Sequence, residues 1–148
     1  MSETVIQVTS LGKRIKGKTI LEDISFEINQ GDCVALIGPN GAGKTVLMSC
    51  ILGDKKPSSG QVLIDGKAGK AKNKIAVLLQ ENTIPNSLKV SELIAFFQSI
   101  SDNPLTNQEV QELLQFKEDQ YHQFADKLSG GQRRLLAFVL CLIDKPKI

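Results

Sequence analysis

The sequence predicts an α/β fold, and three observations support this class. Residues 34–37 form a continuous apolar run of the kind found in strands that are buried on both faces of a sheet. Residues 46–52 follow a glycine-rich stretch and have the pattern of a helix that stops at Gly53. Between Val90 and Phe97, apolar residues recur at the spacing of one helix face. Strands and amphipathic helices therefore alternate along the chain.

Length and composition indicate one globular domain. The chain has 148 residues, of which 41% are hydrophobic, so it can bury a core. Its net charge of +2 gives no electrostatic reason to expect nucleic acid or an anionic membrane as a partner. The longest apolar run, residues 135–143, falls well short of the roughly 20 residues of a membrane-spanning helix. The first residues also lack the apolar region of a signal peptide, so we expect a cytosolic protein.

Cysteine and histidine indicate no metal centre. Cys33, Cys50 and Cys141 lie inside apolar runs without a close pair. That spacing matches neither a disulfide framework nor a zinc site, so we predict reduced core residues. The single histidine, His122, is expected on the surface.

The other strand-like segments follow in chain order. Four are predicted: residues 5–8, 20–28, 61–64 and 75–79. The first two alternate like half-buried antiparallel strands, the third enters a turn at Asp65 and Gly66, and the fourth is a buried run ending at Gln80. The lysine-rich residues 67–74 are predicted to be a solvated loop, with a nucleic-acid patch as the less favoured alternative.

A third predicted helix follows the one with the apolar stripe that starts at Val90. Thr106 and Glu109 have the spacing of a capping box, which predicts a helix start near Asn107.

Residues 38–45 match G-x-x-x-x-G-K-[ST] between the predicted buried strand and helix, the context in which this pattern denotes a phosphate-binding loop. Its glycines permit positive φ, and the helix adds its positive N-terminal end. Lys44 offers a charge to the β- and γ-phosphates, and Thr45 offers a hydroxyl to Mg²⁺. A chance glycine-rich turn is the alternative. We expect nucleotide contacts from Gly38, Pro39, Asn40, Gly41, Ala42, Gly43, Lys44, Thr45 and Val46.

A second glycine-containing helix start occurs at residues 128–134, LSGGQRR. Ser129 is positioned to cap the helix while Gln132, three residues later, reaches back. The glycines leave N–H groups uncovered, and such a helix end can accept an anion. A plain capped helix is the alternative for this motif taken alone.

The order GPNGAGKT, a strand ending at Gln80, then LSGGQRR resembles the nucleotide-binding domain of ATP-binding cassette (ABC) ATPases. The resemblance covers essentially the whole chain, including ILEDISFEINQG and PSSGQVLIDG. It implies a P-loop NTPase fold with an ABC-type core, an antiparallel β-subdomain and a helical subdomain. The implied divisions are residues 1–80 (β-subdomain and P-loop core), 81–127 (helical subdomain) and 128–148 (signature motif and helix).

The resemblance also implies a function. ATP binding and hydrolysis by a head-to-tail dimer would drive transport through a separate transmembrane permease subunit, which docks near Gln80 on the cytoplasmic face of the membrane. Lys44 and Gln80 would be the catalytic residues, and Thr45 and Gln80 the Mg²⁺ ligands. Compact spacing favours a bacterial exporter. The partner's γ-phosphate would be covered by Ser129, Gly130, Gly131 and Gln132.

Three positions depart from the family pattern. Ile15 stands where an aromatic residue stacks on adenine, so GTP stays open as the nucleotide. Val46 replaces a threonine that donates to the α-phosphate, a loss on the order of 1 kcal/mol. Lys89 replaces a threonine that caps the next helix, so this helix start is expected to be poorly capped.

The family's Walker B aspartate, catalytic glutamate and switch histidine would follow Ile148. We therefore expect the 148-residue chain to bind nucleotide but to hydrolyse it poorly. With the C-terminal part of the core sheet missing, the strand before Gly38 would be exposed and would favour oligomerisation.

Two alternative functions are also compatible with the sequence. The first is an ABC ATPase that acts on DNA or ribosomes, and the second is a non-catalytic binding fragment.

Overall fold

The computed structural model describes residues 3–68, 75–79 and 84–148. The chain divides into two compact units, Met1–Lys72 and Asn73–Ile148. We call the first the β unit, because it holds all the described strands, and the second the helical unit.

The β unit is built on a four-stranded antiparallel sheet. Its strands are Thr4–Ile15 (β1), Lys18–Asn29 (β2), Ser59–Ile64 (β3) and Lys67–Ala68 (β4). Their order across the sheet is β2-β1-β3-β4. The first three confirm the strands predicted at residues 5–8, 20–28 and 61–64. Lys67–Ala68 is a strand where the sequence predicts a loop, and residues 69–74 lie outside the described residues.

The predicted turn after β3 is present. Asp65 and Gly66 both have positive φ, 48° and 69°, as a tight two-residue hairpin turn requires. The turn therefore pairs β3 with β4.

Strands β1 and β3 approach closely at Gly60. The register between them shifts between Thr9 and Gly12, and Ser10 has a φ of 45°. A Cβ atom on Gly60 would overlap the Ser10 carbonyl oxygen, so no side chain fits there. The Ser10 N–H donates to Ser25 Oγ at 2.8 Å, which holds the irregular β1 segment against β2.

Helix α1, Lys44–Ile51, contacts β2 and contributes to the core of the β unit. Leu52 is its C-cap, and Gly53 has a φ of 77°, which matches the predicted stop. The buried apolar residues of the unit are Val5, Ile6, Val8, Leu11, Leu21, Leu47, Cys50, Ile51 and Ile64.

The two predicted buried strands do not form. Residues 34–37 pair with no strand in the described part of the chain, and Val34 and Ile37 are 60% and 90% exposed. Residues 75–79 form no strand either, and Leu79 is 62% exposed. A strand buried on both faces needs neighbouring strands for its backbone groups and layers over its side chains. Among the described residues no partner strand meets either segment.

The helical unit surrounds its own core. It contains Val90–Ser99 (α2), Asn107–Leu114 (α3), Glu118–His122 (α4), a 3₁₀ turn Ala125–Lys127, and Gly130–Leu142 (α5). The predicted stripe of α2 is confirmed, since Val90, Leu93 and Ile94 are buried and Phe97 packs beside them. From α5 the core receives Leu136, Ala137, Val139 and Leu140.

The helix starts agree with their predicted caps. Thr106 Oγ1 accepts from the Glu109 N–H at 3.2 Å, and the Thr106 N–H donates to Glu109 Oε2 at 2.7 Å, so α3 has the predicted capping box. Lys89 provides no side-chain cap for α2, as expected, although its N–H donates to Glu92 Oε2 at 2.8 Å.

The cysteines differ in exposure. Cys50 is buried and Cys141 partly buried, but Cys33 is exposed, so the prediction of a core position is wrong for Cys33. All three are free thiols. His122 is exposed, as predicted.

Within the described ranges, no helix has both the length and the apolar character needed to span a membrane.

Candidate functional site

The predicted phosphate loop leads directly into α1. Gly41 and Gly43 have φ values of 82° and 92°, a conformation that residues with side chains rarely adopt. Gly43 is the N-cap of α1, and its carbonyl accepts the Leu47 N–H at 2.9 Å. The first N–H groups of a helix have no partner inside the helix, so those of Lys44 and Thr45 are available to an anion at this end.

Lys44 lies across its own loop. Its Nζ donates to the carbonyl oxygens of Gly38 at 2.6 Å and Pro39 at 2.7 Å. These bonds hold the ammonium group over the loop that the helix N-terminus also faces. The Lys44 ammonium group and the helix N-terminus therefore both lie at the same loop.

The loop rests on β2. A Cβ atom on Gly43 would lie 2.9 Å from Leu21 Cδ2 and 3.2 Å from the Ile20 carbonyl oxygen. Any residue other than glycine would therefore require the Leu21 side chain and the Ile20 carbonyl group to shift. Packing of Gly43 on β2 thus helps to fix the position of the loop and of the start of α1.

Thr45 and Val46 continue the first turn of α1. Thr45 is exposed and Val46 half-buried, so the Thr45 hydroxyl is accessible to a cation that shares the phosphates. In the described part of the chain, no group of three or more His, Cys, Asp or Glu residues could hold a metal by itself. Magnesium that is coordinated mainly by phosphate oxygens and water fits such a site. Gln80, the other predicted ligand, lies outside the described residues.

The β1–β2 hairpin carries the position predicted to meet the base. Ile15 is half-buried at the end of β1 and pairs with Lys18. Positive φ values at Lys16 and Gly17 turn the chain there. Beside the hairpin, a cleft of about 410 Å³ is lined by Gly12, Lys13, Arg14, Thr19, Leu21, Glu22, Asp23, Ser58 and Ser59.

The signature segment forms the predicted helix start in the helical unit. The Ser129 Oγ accepts from the Gln132 N–H at 3.3 Å, and the Ser129 N–H donates to Gln132 Oε1 at 3.0 Å. Nothing lies within 4 Å of a Cβ built on Gly130 or Gly131. The first turn of α5 is therefore capped and open on its glycine face.

One polar contact of this segment is not predicted by the sequence. Arg133 Nη2 donates to Asn86 Oδ1 at 3.1 Å, which ties the first turn of α5 to the segment that leads into α2. These residues are 47 positions apart, and no local sequence pattern marks the pair.

Comparisons with known proteins agree with this description. A family model described as ABC transporter matches residues 21–148. The chain is 35% identical to the methionine import ATP-binding protein MetN of Legionella pneumophila (strain Paris), with 97% of this chain and 46% of the relative covered. It is 34% identical to the spermidine/putrescine import ATP-binding protein PotA of Protochlamydia amoebophila, with coverages of 93% and 39%. The chain thus spans less than half the length of these curated relatives.

Solved structures show the same fold. One, titled as the ATP binding subunit of an ABC transporter, superposes with a TM-score of 0.78 at 23% identity and covers 96% of this chain and 63% of its own. Another is cbiO1 from Clostridium perfringens, part of the ABC transporter complex cbiONQ, with a TM-score of 0.81 at 23% identity and coverages of 97% and 63%.

Proposed function

Since the chain belongs to the ABC transporter family, we propose that it binds ATP through residues 38–46 and acts as the ATP-binding subunit of a transporter. One observation carries this proposal: Gly41, Gly43 and Lys44 together place a positive-φ backbone, a helix N-terminus and an ammonium group around one loop. This arrangement suits the β- and γ-phosphates of a nucleoside triphosphate.

The experiment is a calorimetric titration of the chain with ATP, ADP and AMP in the presence of Mg²⁺. Affinity should fall as phosphates are removed, and Lys44→Ala should weaken ATP binding by roughly 10-fold or more, because a charge-assisted hydrogen bond is lost. Lys117→Ala, which removes a lysine of the helical unit, is the matched control. Equal binding of ATP and AMP would contradict the proposal.

The proposal also names the residues that would contact the magnesium ion and the nucleotide base. We propose that Thr45 and Gln80 hold Mg²⁺, which neutralises phosphate charge when bound. Ile15 covers one face of the base by dispersion without aromatic stacking, so discrimination between ATP and GTP should be weak. Competition of GTP with ATP measures this directly.

Turnover is proposed to require a second ABC domain. In a head-to-tail dimer, Ser129, Gly130, Gly131 and Gln132 of one copy would close over the γ-phosphate bound by residues 38–45 of the other. The capped, open start of α5 supports this role, since its glycine face is free to approach a ligand. Lys44 and Gln80 would act on the transferred phosphate.

The 148-residue chain by itself is proposed to hydrolyse ATP poorly. Mg²⁺-dependent phosphate release that is abolished by Lys44→Ala would contradict this.

A membrane permease is the proposed partner, which would place the subunit on the cytoplasmic face of a membrane. The C-terminal end of α2 supports this proposal, because Phe96 and the C-cap residue Ile100 are 55% and 64% exposed. Cross-linking from position 96 in membranes should capture a membrane protein. We also propose that residues 1–80 form the β-subdomain and P-loop core, residues 81–127 the helical subdomain, and residues 128–148 the signature motif and its helix.

Import is the direction that the relatives favour. MetN and PotA are named as import proteins, and so is the sulfate/thiosulfate import ATP-binding protein CysA of Synechocystis, which is 32% identical. We therefore propose an importer in place of the exporter expected from the sequence. An ABC ATPase acting on DNA or ribosomes, or a non-catalytic binding fragment, would be favoured if no permease were captured.

A further inference from the structure

A cavity of about 390 Å³ lies at the far end of α1 from the phosphate loop. Its walls come from the last residues of α1, the loop after it, and strands β3 and β4, all within the β unit. The volume is in the range of small-molecule sites. Because α1 rises roughly 1.5 Å per residue, about 10 Å of helix separates Lys44 from the cavity.

The cavity combines a basic rim with an apolar floor. Lys55 and Lys56 line it, and both are exposed. Cys50 and Ile51 are buried beneath them, and Pro57 and Val62 are half-buried at the wall. Among the described residues that line the cavity there is no carboxylate.

A third lysine adds to this positive field. Lys13 Nζ donates to the Lys56 carbonyl oxygen at 2.5 Å, so its ammonium group is fixed beside the loop. Burial raises the pKa of the Cys50 thiol, and the charges of Lys13 and Lys55 oppose that rise. Both charges therefore act on the cavity floor.

We propose that this cavity binds a small carboxylate with an alkyl body. Lys55 and Lys56 receive the carboxylate, and the alkyl chain covers the apolar floor. The attraction of two ammonium groups and the burial of the methylene groups then act together on one ligand. A ligand that lacks the carboxylate or the alkyl chain should therefore bind more weakly.

The probe is octanoate, followed by calorimetry and by backbone amide spectra of the whole chain. Octanoate should bind and shift the amide signals of Cys50, Gly53 and Val62. Octanol, which lacks the charge, octylammonium, which reverses it, and acetate, which lacks the chain, should each bind at least 10-fold more weakly. Equal binding of octanol and octanoate would overturn the proposal.

Two variants locate the site. Lys55→Gln together with Lys56→Gln should weaken octanoate binding at least 10-fold, whereas Lys117→Gln should leave it unchanged. Gln61→Glu adds a carboxylate to the exposed edge of the cavity and should also weaken binding. A native amide spectrum of the Gln61→Glu variant would show that this variant is folded. Unchanged affinity in these cavity variants would overturn the proposal.

The experiment distinguishes failure of the proposed carboxylate site from failure of the proposed ATP binding. Octanoate should bind equally well with and without ATP, and the Gly41 and Gly43 signals should not move. Shifts confined to those glycines would place octanoate at the phosphate loop and contradict the proposed cavity site.

Discussion

Arg133 donates to the side-chain oxygen of Asn86 at 3.1 Å and so joins the capped start of α5 to the segment before α2. Both side chains are near solvent, which limits what the bond contributes.

Removal of this bond should have a small but measurable effect. We expect a coupling energy of about 0.5 kcal/mol from a double-mutant cycle of Asn86→Ala and Arg133→Ala, measured by urea unfolding. A coupling within error of zero would show that the bond adds no stability, and Arg134→Ala supplies the control for loss of a neighbouring charge.

Gly43 should be the least replaceable glycine of the phosphate loop. Gly43→Ala combines a φ of 92° with a contact of 2.9 Å to Leu21 Cδ2, and we expect a loss of roughly 1–3 kcal/mol in the free energy of unfolding. Gly66→Ala has a φ of 69° and no atom within 4 Å, so it measures the backbone cost alone. Equal losses in the two variants would mean that packing on β2 contributes nothing.

Ser129 should stabilise α5 as its N-cap. Ser129→Ala removes the acceptor for the Gln132 N–H, and about 1 kcal/mol of stability should go with it. Ser129→Asn keeps a capping oxygen and should restore most of that loss. If the asparagine variant is no more stable than the alanine variant, the cap is unimportant.

Acid should weaken the start of α3. Hydrogen bonds from Thr106, above all from its backbone N–H, lower the pKa of the Glu109 carboxyl, and Lys145 lies 3.7 Å away. A lowered pKa means that the ionised cap stabilises the fold above the ordinary pKa of about 4.3 and is lost as pH falls through the lower folded value. Unfolding curves between pH 6 and about 3 should show this loss, and Glu109→Gln should remove that part of the pH dependence.

Ile37 should tolerate polar replacement in this chain. Because its side chain is 90% exposed, Ile37→Thr should change the free energy of unfolding by less than about 0.5 kcal/mol. Leu11→Thr, at a fully buried position, is the contrasting variant and should cost several times more. A large loss at position 37 would show that the segment is buried in solution.

Local patterns were predictable from the sequence. The capping boxes of Thr106 and Ser129 depend on partners three residues away, and the turn at Asp65 and Gly66 depends on its own dihedral angles. The phosphate loop belongs to this class too, since its glycines and the helix start at Lys44 are adjacent in sequence.

Long-range features were not predictable in the same way. Burial of residues 34–37 depends on neighbouring strands, which an apolar run cannot specify. The same limit applies to Cys33, which directly precedes this apolar run and is exposed. The pairing of Arg133 with Asn86 depends on how α5 and the segment before α2 pack within the helical unit.

The approach of Gly60 to the Ser10 carbonyl also limits how this sequence can vary. Every amino acid that replaces glycine adds a Cβ atom, and at position 60 that atom would overlap the Ser10 carbonyl oxygen. In a saturation mutagenesis library, position 60 should therefore be depleted of all substitutions, while the exposed neighbours Ser59 and Gln61 accept many. A single backbone contact between two strands would thus appear as a sharp minimum in a map of mutational tolerance.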